Sequence, residues 1–241
     1  MRLQKIGNVY QFTFLPRLFP VNCYLVEEEN ELTLIDCALP YSDQSILRTA
    51  NKLGKPITKI VLTHADDDHV GALDRLKEAL PMAKVLISEQ EAKWVGLLET
   101  DSDKPVRDKA FPCKTKPDQL IVENDVIGSL RVISTPGHTP GSVSFYQEAS
   151  EMMIVGDAFQ TRGGVAVAGD TRWLFPFPGI CTVNQELAIE SAKKIASLQP
   201  SFLATGHGNM LENKGEILAK VITRAENKWL KEYKNVSEKR A

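Results

Sequence analysis

Four histidines occur in this 241-residue chain, and each stands just beyond a short apolar run of strand character. His64 and His69 follow the run 57–62 within Thr63-His64-Ala65-Asp66-Asp67-Asp68-His69-Val70-Gly71. His138 follows the run 130–133 within T-P-G-H-T-P-G-S, and His207 follows 202–204 within Thr205-Gly206-His207-Gly208. A further strand end, Ile154-Val155-Gly156-Asp157, supplies a carboxylate in place of an imidazole. In layered α/β proteins, ligand sites collect outside the carboxyl ends of strands. Imidazoles and carboxylates gathered there have the chemistry of metal ligands. The chain is therefore expected to take a fold that brings these strand ends to one edge.

Each piece read alone admits a plainer role. Asp66, Asp67 and Asp68 precede a helix expected at Gly71, so each also reads as a cap or as a charge at the helix's positive end. His138 reads as a turn histidine, and His207 as a loop residue packed on a neighbour. The plain readings become hard to hold together, because they require every histidine and several aspartates to reach strand ends by accident. The glycines around them suit a backbone that turns sharply near a cluster. Pro136 and Pro140 stiffen the turn that carries His138.

Strand character also runs through 9–15, 22–26, 31–35, 84–87, 142–146 and 152–155. Helical character covers 42–53, closed by Gly54 and Pro56, then 71–80, 184–198, and a long charged stretch from Gly215 to about Tyr233. In that last helix, Trp229 and Tyr233 stand at i, i+4 and are expected to dock it. The polar stretch 99–118, with three prolines, reads as a surface connection and mobile flap. Hairpins mixed with helix crossovers predict a layered domain with helices covering sheet faces.

Lys plus Arg number 29 against 31 for Asp plus Glu, a net charge of -2, so no basic footprint for nucleic acid is visible. No apolar run reaches the roughly 20 residues that span a bilayer. The N-terminus lacks a continuous apolar segment and a small-residue cleavage site, which predicts a cytoplasmic protein. The four scattered cysteines are expected to be reduced, partly buried thiols.

Taken together, T-H-A-D-D-D-H-V-G resembles the T-H-x-H-x-D-H-x-G signature of the metallo-β-lactamase-fold hydrolases. T-P-G-H-T-P-G-S, G-D-A and G-H-G follow in that family's order. The pair N-C-Y-L-V and L-T-L-I-D-C-A, closed by Asp36, is similar to its opening, and the resemblance covers about residues 20 to 210. It implies an α/β (α+β) fold, a four-layer αββα sandwich, as one domain over residues 1–241. Carried over position by position, it implies that His64, Asp66 and His138 bind a first metal and that Asp68, His69 and His207 bind a second, with Asp157 bridging. Asp66 departs from the family, which has a histidine there. A carboxylate is a harder donor, so two divalent metal ions are expected, Zn first, with Mn or Fe admitted by Asp66.

The activity so implied is hydrolysis of an ester, lactone, thioester or amide by a metal-generated hydroxide. Asp68 is assigned the catalytic task of orienting the nucleophile and shuttling its proton. Phosphodiester cleavage and non-haem iron oxidoreduction stand as alternatives on the same fold. The aromatic loop offers Arg172, Trp173, Phe175 and Phe177, with Arg162, for substrate binding, and equally reads as a cover for the core. The expected partner is a small-molecule substrate, with no nucleic acid and no membrane, in a monomer or homodimer.

Overall fold

The computed structural model describes residues 1–98 and 111–240, with side chains described through 233. Most of the expected flap, residues 99–110, lies outside the described residues. One sheet holds seven strands in sequential order: β1 Arg2–Ile6, β2 Val9–Phe14, β3 Val21–Glu27, β4 Leu32–Ile35, β5 Ile57–Val61, β6 Lys84–Ser88 and β7 Gln119–Ile121. β1 to β4 pair antiparallel, whereas β4 to β7 pair parallel, joined through helices.

The second sheet takes up β8 Val126–Ile127, β9 Leu130–Ser134, β10 Val143–Gln147 and β11 Met152–Gly156. A separate hairpin, β12 Phe159–Gln160 and β13 Ala166–Val167, interrupts before β14 Phe202–Thr205 and β15 Leu211–Glu212 complete that sheet. Its order is β15-β14-β11-β10-β9-β8, with β11 and β14 parallel.

Alternation along the strands builds three apolar layers, because successive side chains point to opposite faces. Tyr24, Ile35, Val61 and Leu86 of the first sheet meet Val132, Phe145, Ile154 and Ala204 of the second. Their neighbours Leu34, Ile60, Val85 and Ile87 face outward and bury against α1 Asp43–Leu53 and, beyond the short α2 Asp67–Val70, α3 Leu73–Ala79. On the far side, Ile133, Met153, Val155 and Leu203 face outward. These residues are covered by α6 Gln185–Ser197 and α7 Ile217–Arg240, whereas α4 Glu89–Trp94 packs with the first sheet's outer layer and α5 Phe177–Cys181 precedes α6. Ala188, Ile189, Ala192 and Ile195 give α6 its buried stripe, and Leu218, Val221, Ile222 and Ala225 do the same for α7. The layers run helix, sheet, sheet, helix, a mixed α/β sandwich. None of the described helices is long and apolar enough to cross a membrane.

Several elements differ from the sequence expectation. His69 lies on α2, a short helix that ends at Val70, and the helix expected over 71–80 is α3. β1, α4 and α5 were not expected. β1 is an edge strand of mostly exposed residues, and α5 contains both Pro178 and Gly179, so neither carries a periodic signal. Trp229 packs into the core under α7, but Tyr233 is 64% exposed and only lies against the Trp229 ring. All four cysteines are free; Cys23 and Cys37 are buried, whereas Cys181 is exposed.

Candidate metal centre

The carboxyl ends of β4, β5, β9, β11 and β14 open on one edge of the sandwich. The sequence-predicted ligands meet there. His64, Asp66 and His138 present donor atoms within 4.8 Å of one another, as do Asp68, His69 and His207. His64, His69 and Asp157 form a third such group. Asp157 joins the two sides: its Oδ1 lies 3.4 Å from His69 Nε2, and its Oδ2 lies 3.6 Å from His138 Nε2 and 3.2 Å from His207 Nε2. Asp66 Oδ2 stands 3.2 Å from His138 Nε2, and Asp68 Oδ2 stands 3.5 Å from His207 Nε2. Asp66 occupies the N-cap position of α2 without a side-chain capping bond.

The outward ring nitrogens are already committed, which fixes what the inward ones can do. His69 donates from Nδ1 to Asp36 Oδ2 at 2.8 Å, and His207 donates from Nδ1 to the Pro20 carbonyl at 2.7 Å. Thr63 gives its hydroxyl proton to Asp36, so it accepts from His64 Nδ1 at 2.9 Å. Thr182 gives its proton to the Pro178 carbonyl, so it accepts, at a longer 3.4 Å, from His138 Nδ1. In every ring the Nε2 lone pair is left facing the cluster. His64 Nε2, His69 Nε2 and Asp157 Oδ1 are buried with no hydrogen-bond partner. Orphaned buried acceptors are costly unless a cation or donor meets them, so this donor set suits divalent metal ions.

The electrostatics show the same demand for positive charge. Burial pulls His69 down, but Asp157 and Asp36 outweigh it and hold the ring well above its ordinary value. His207 is likewise raised against burial by Asp157, and His138 against burial by Asp66. Burial would raise Asp157, yet His207 and His69 hold it well below the usual carboxylate range. His64, with burial dominant and His69 beside it, falls well below its ordinary value.

Asp36 itself sits at φ 59, a left-handed conformation that aspartate tolerates better than most residues. Gly206 has a stricter role, because a Cβ there would lie 2.1 Å from Asp157 Oδ1. From β2 and β3, Gln11 and Asn22 donate to the Gly208 carbonyl, and Tyr24 donates to the Thr205 carbonyl at 2.6 Å. These buried bonds lock the turn that carries His207.

An open cleft of about 400 Å³ lies over the centre, lined by Asp66, Asp67, Asp68, Trp94, Thr139, Cys181 and Val183. Of the expected substrate residues, Phe175 is buried with its ring 5.2 Å from that of His207. Phe177 packs on Phe19, which also meets His207 at 5.4 Å. Trp173 is 92% exposed and does not line the cleft. Arg172 lies over Gly164 in its own loop, and Arg162 donates to the Arg17 carbonyl in the β2–β3 connection, so neither lines the cleft. Phe19, Trp94 and Val183 carried no motif and were missed; only tertiary packing brings them here.

The family model described as Metallo-beta-lactamase superfamily matches residues 16–207. The Bacillus subtilis (strain 168) protein YobT is 49% identical over 233 residues, spanning 93% of this chain and 99% of that one. Probable metallo-hydrolase YflN, from the same organism, is 28% identical over 225 residues, spanning 85% and 81%. Among solved structures, the di-iron-bound form of TTHA1623 is similar with a TM-score of 0.62 and 28% identity, covering 84% of this chain and 93% of that chain. Fold, strand-end cluster and sequence match agree, and the chain belongs to the metallo-β-lactamase superfamily.

Proposed function

We propose that residues 1–241 form one metallo-β-lactamase-like domain that works as a metal-dependent hydrolase of a carbonyl substrate: an ester, lactone, thioester or amide. The observation that carries this reading is the convergence of four Nε2 atoms on three carboxylates, with every Nδ1 tied off behind them. His64, Asp66 and His138 would hold one divalent cation and Asp68, His69 and His207 a second, with Asp157 facing both groups. Such cations polarise a carbonyl and lower the pKa of water, so that hydrolysis runs at neutral pH.

The side chains divide the remaining work. Asp68 is partly exposed and opens on the cleft, so its carboxylate orients the attacking water and carries the proton toward the leaving group. Trp94 and Val183 offer an apolar wall for the acyl part of a substrate. The Phe19 and Phe175 rings exclude water from the rear of His207.

Zn suits the histidines, whereas the harder Asp66 admits Mn or Fe. The di-iron form of TTHA1623 supports iron as an occupant, and with iron a second reading is non-haem iron oxidoreduction, which would show as oxygen uptake with a thiol substrate. The deciding experiment is a hydrolysis panel on Zn-, Mn- and Fe-reconstituted protein with His64→Ala as control. It spans an aryl ester, a lactone, a thioester, a β-lactam and an aryl phosphodiester. Carbonyl cleavage lost in the mutant is expected. Cleavage of the phosphodiester alone, or oxygen uptake without hydrolysis, overturns the reading.

A further inference from the structure

Glu91 is fully buried, at 0% exposure, on the unexpected helix α4. Ser88-Glu89-Gln90-Glu91 has the form of a capping box, in which the glutamate would return to the backbone N–H of the capping serine. Half of that box is present: Ser88 Oγ accepts from the Glu91 N–H at 3.0 Å. The carboxylate is used elsewhere. Its Oε1 accepts from the Ala65 N–H at 2.9 Å. Its Oε2 accepts from the Thr139 hydroxyl at 2.6 Å and from the Gly141 N–H at 3.1 Å.

Those partners have a common property. Ala65 lies between His64 and Asp66, and Thr139 follows His138 directly. One carboxylate thus ties together the two segments that carry all three members of the first ligand group, one leaving β5 of the first sheet and the other leaving β9 of the second. Contact between α4 and the His138 turn is close on every side. Ser88 donates to the Gly141 carbonyl at 2.5 Å, and a Cβ on Gly141 would lie 2.0 Å from the Glu91 backbone nitrogen. The second ligand group is anchored elsewhere, with His69 on Asp36 and His207 on the Pro20 carbonyl. A cap alone needs no buried charge, and an amide or apolar residue would fill the space without the desolvation cost of a carboxylate.

Resting on the reading that these groups hold metals, we infer that Glu91 is a positioning residue for the first metal position. It sets the separation of the His64–Asp66 segment from His138, and it leaves the Asp68–His69–His207 position to its own anchors. Losing Glu91 therefore weakens one of the two metal positions and spares the other, a split that general loosening of the fold would not produce.

The test is calorimetric titration of metal-stripped protein with Zn²⁺ in the presence of a competing chelator. Wild type, Glu91→Gln and Glu91→Ala are compared, with His138→Ala and His207→Ala used to assign the two binding steps. In Glu91→Ala the step lost in His138→Ala is expected to weaken by ~10–100-fold, as for other residues that hold metal ligands in place, while the other step is unchanged. Glu91→Gln, which places donors against the N–H groups of Ala65 or Gly141, is expected to fall in the same direction. If Glu91→Ala does not fold, Thr139→Val removes one of the three bonds without touching a ligand and is expected to show a smaller loss at the same step. Equal weakening of both steps, or two intact steps in Glu91→Ala, overturns the role of Glu91 alone. A wild type that binds no Zn²⁺ overturns the metal reading, and this inference with it.

Discussion

Asp36 Oδ2 lies 2.8 Å from His69 Nδ1 and also accepts the hydroxyl proton of Thr63, which in turn accepts from His64 Nδ1. One carboxylate at the end of β4 thereby orients two rings that belong to different ligand groups. Its other oxygen, Oδ1, accepts from the Thr63 N–H at 2.8 Å, so both oxygens are hydrogen-bonded. Asp36→Asn keeps the left-handed backbone tolerable but sets an amide donor against one of these donors. Metal affinity is expected to fall by about 10–100-fold, measured by competition with a chromophoric chelator. Unchanged affinity would mean that the rings hold their orientation without Asp36.

Gly206 is where the backbone comes closest to the cluster, and its substitution tests that packing. In Gly206→Ala the new Cβ would meet Asp157 Oδ1 at 2.1 Å and His69 Cε1 at 2.7 Å. Overpacking of this kind costs ~1–3 kcal/mol. A lower melting temperature together with reduced metal content is the expected result. Wild-type metal content in this variant would show that Asp157 tolerates displacement.

Much of this arrangement was legible in the sequence because sites in layered α/β folds collect where strands end, and the strand runs 57–62, 130–133, 152–155 and 202–204 are strongly apolar. The alternation that separates Val61 from Ile60, or Ile154 from Met153, assigns each to its own layer. What stayed hidden is non-local. The contact of Phe19 with His207 joins residues far apart in sequence, and nothing near Phe19 marks it. α4 was missed because it follows β6 with no intervening loop and is only six residues long, too short for a helical period to show. α5 was missed because Pro178 and Gly179 are poor helix formers; it is held by Thr182 donating to the Pro178 carbonyl.

Tyr24 offers a test of how the two sheets support the His207 turn. Its hydroxyl donates to the Thr205 carbonyl at 2.6 Å and accepts from Gln11 at 3.2 Å, all buried. Tyr24→Phe removes both bonds, leaving Gln11 on the Gly208 carbonyl and the Thr205 carbonyl on Asn22, and is expected to cost ~0.5–1.5 kcal/mol per bond in urea unfolding. A cost near zero would mean that the bonds of Gln11 to Gly208 and of Asn22 to Thr205 hold the turn without the Tyr24 hydroxyl.

Cys113 carries the pH prediction. Burial first, then the carboxylates of Asp74 and Asp67, raise its thiol from 9.0 to about 12. The folded chain therefore keeps the thiol protonated where the unfolded chain would ionise it. Its contribution to stability is complete below about pH 9, the ordinary thiol value, and is lost progressively as the pH rises toward 12. Mass spectrometry after iodoacetamide treatment at pH 8 should find Cys113 unmodified in the native protein and modified in urea. Rapid native labelling would contradict the raised value.

The central claim is that these seven side chains hold two divalent metals, and elemental analysis reads it directly. Protein purified without chelator and dialysed against metal-free buffer is measured beside His64→Ala and His207→Ala, with folding checked by circular dichroism. The account predicts two metal ions per chain in the wild type and one in each variant. Substoichiometric metal in the wild type, or a content that neither substitution changes, would contradict it.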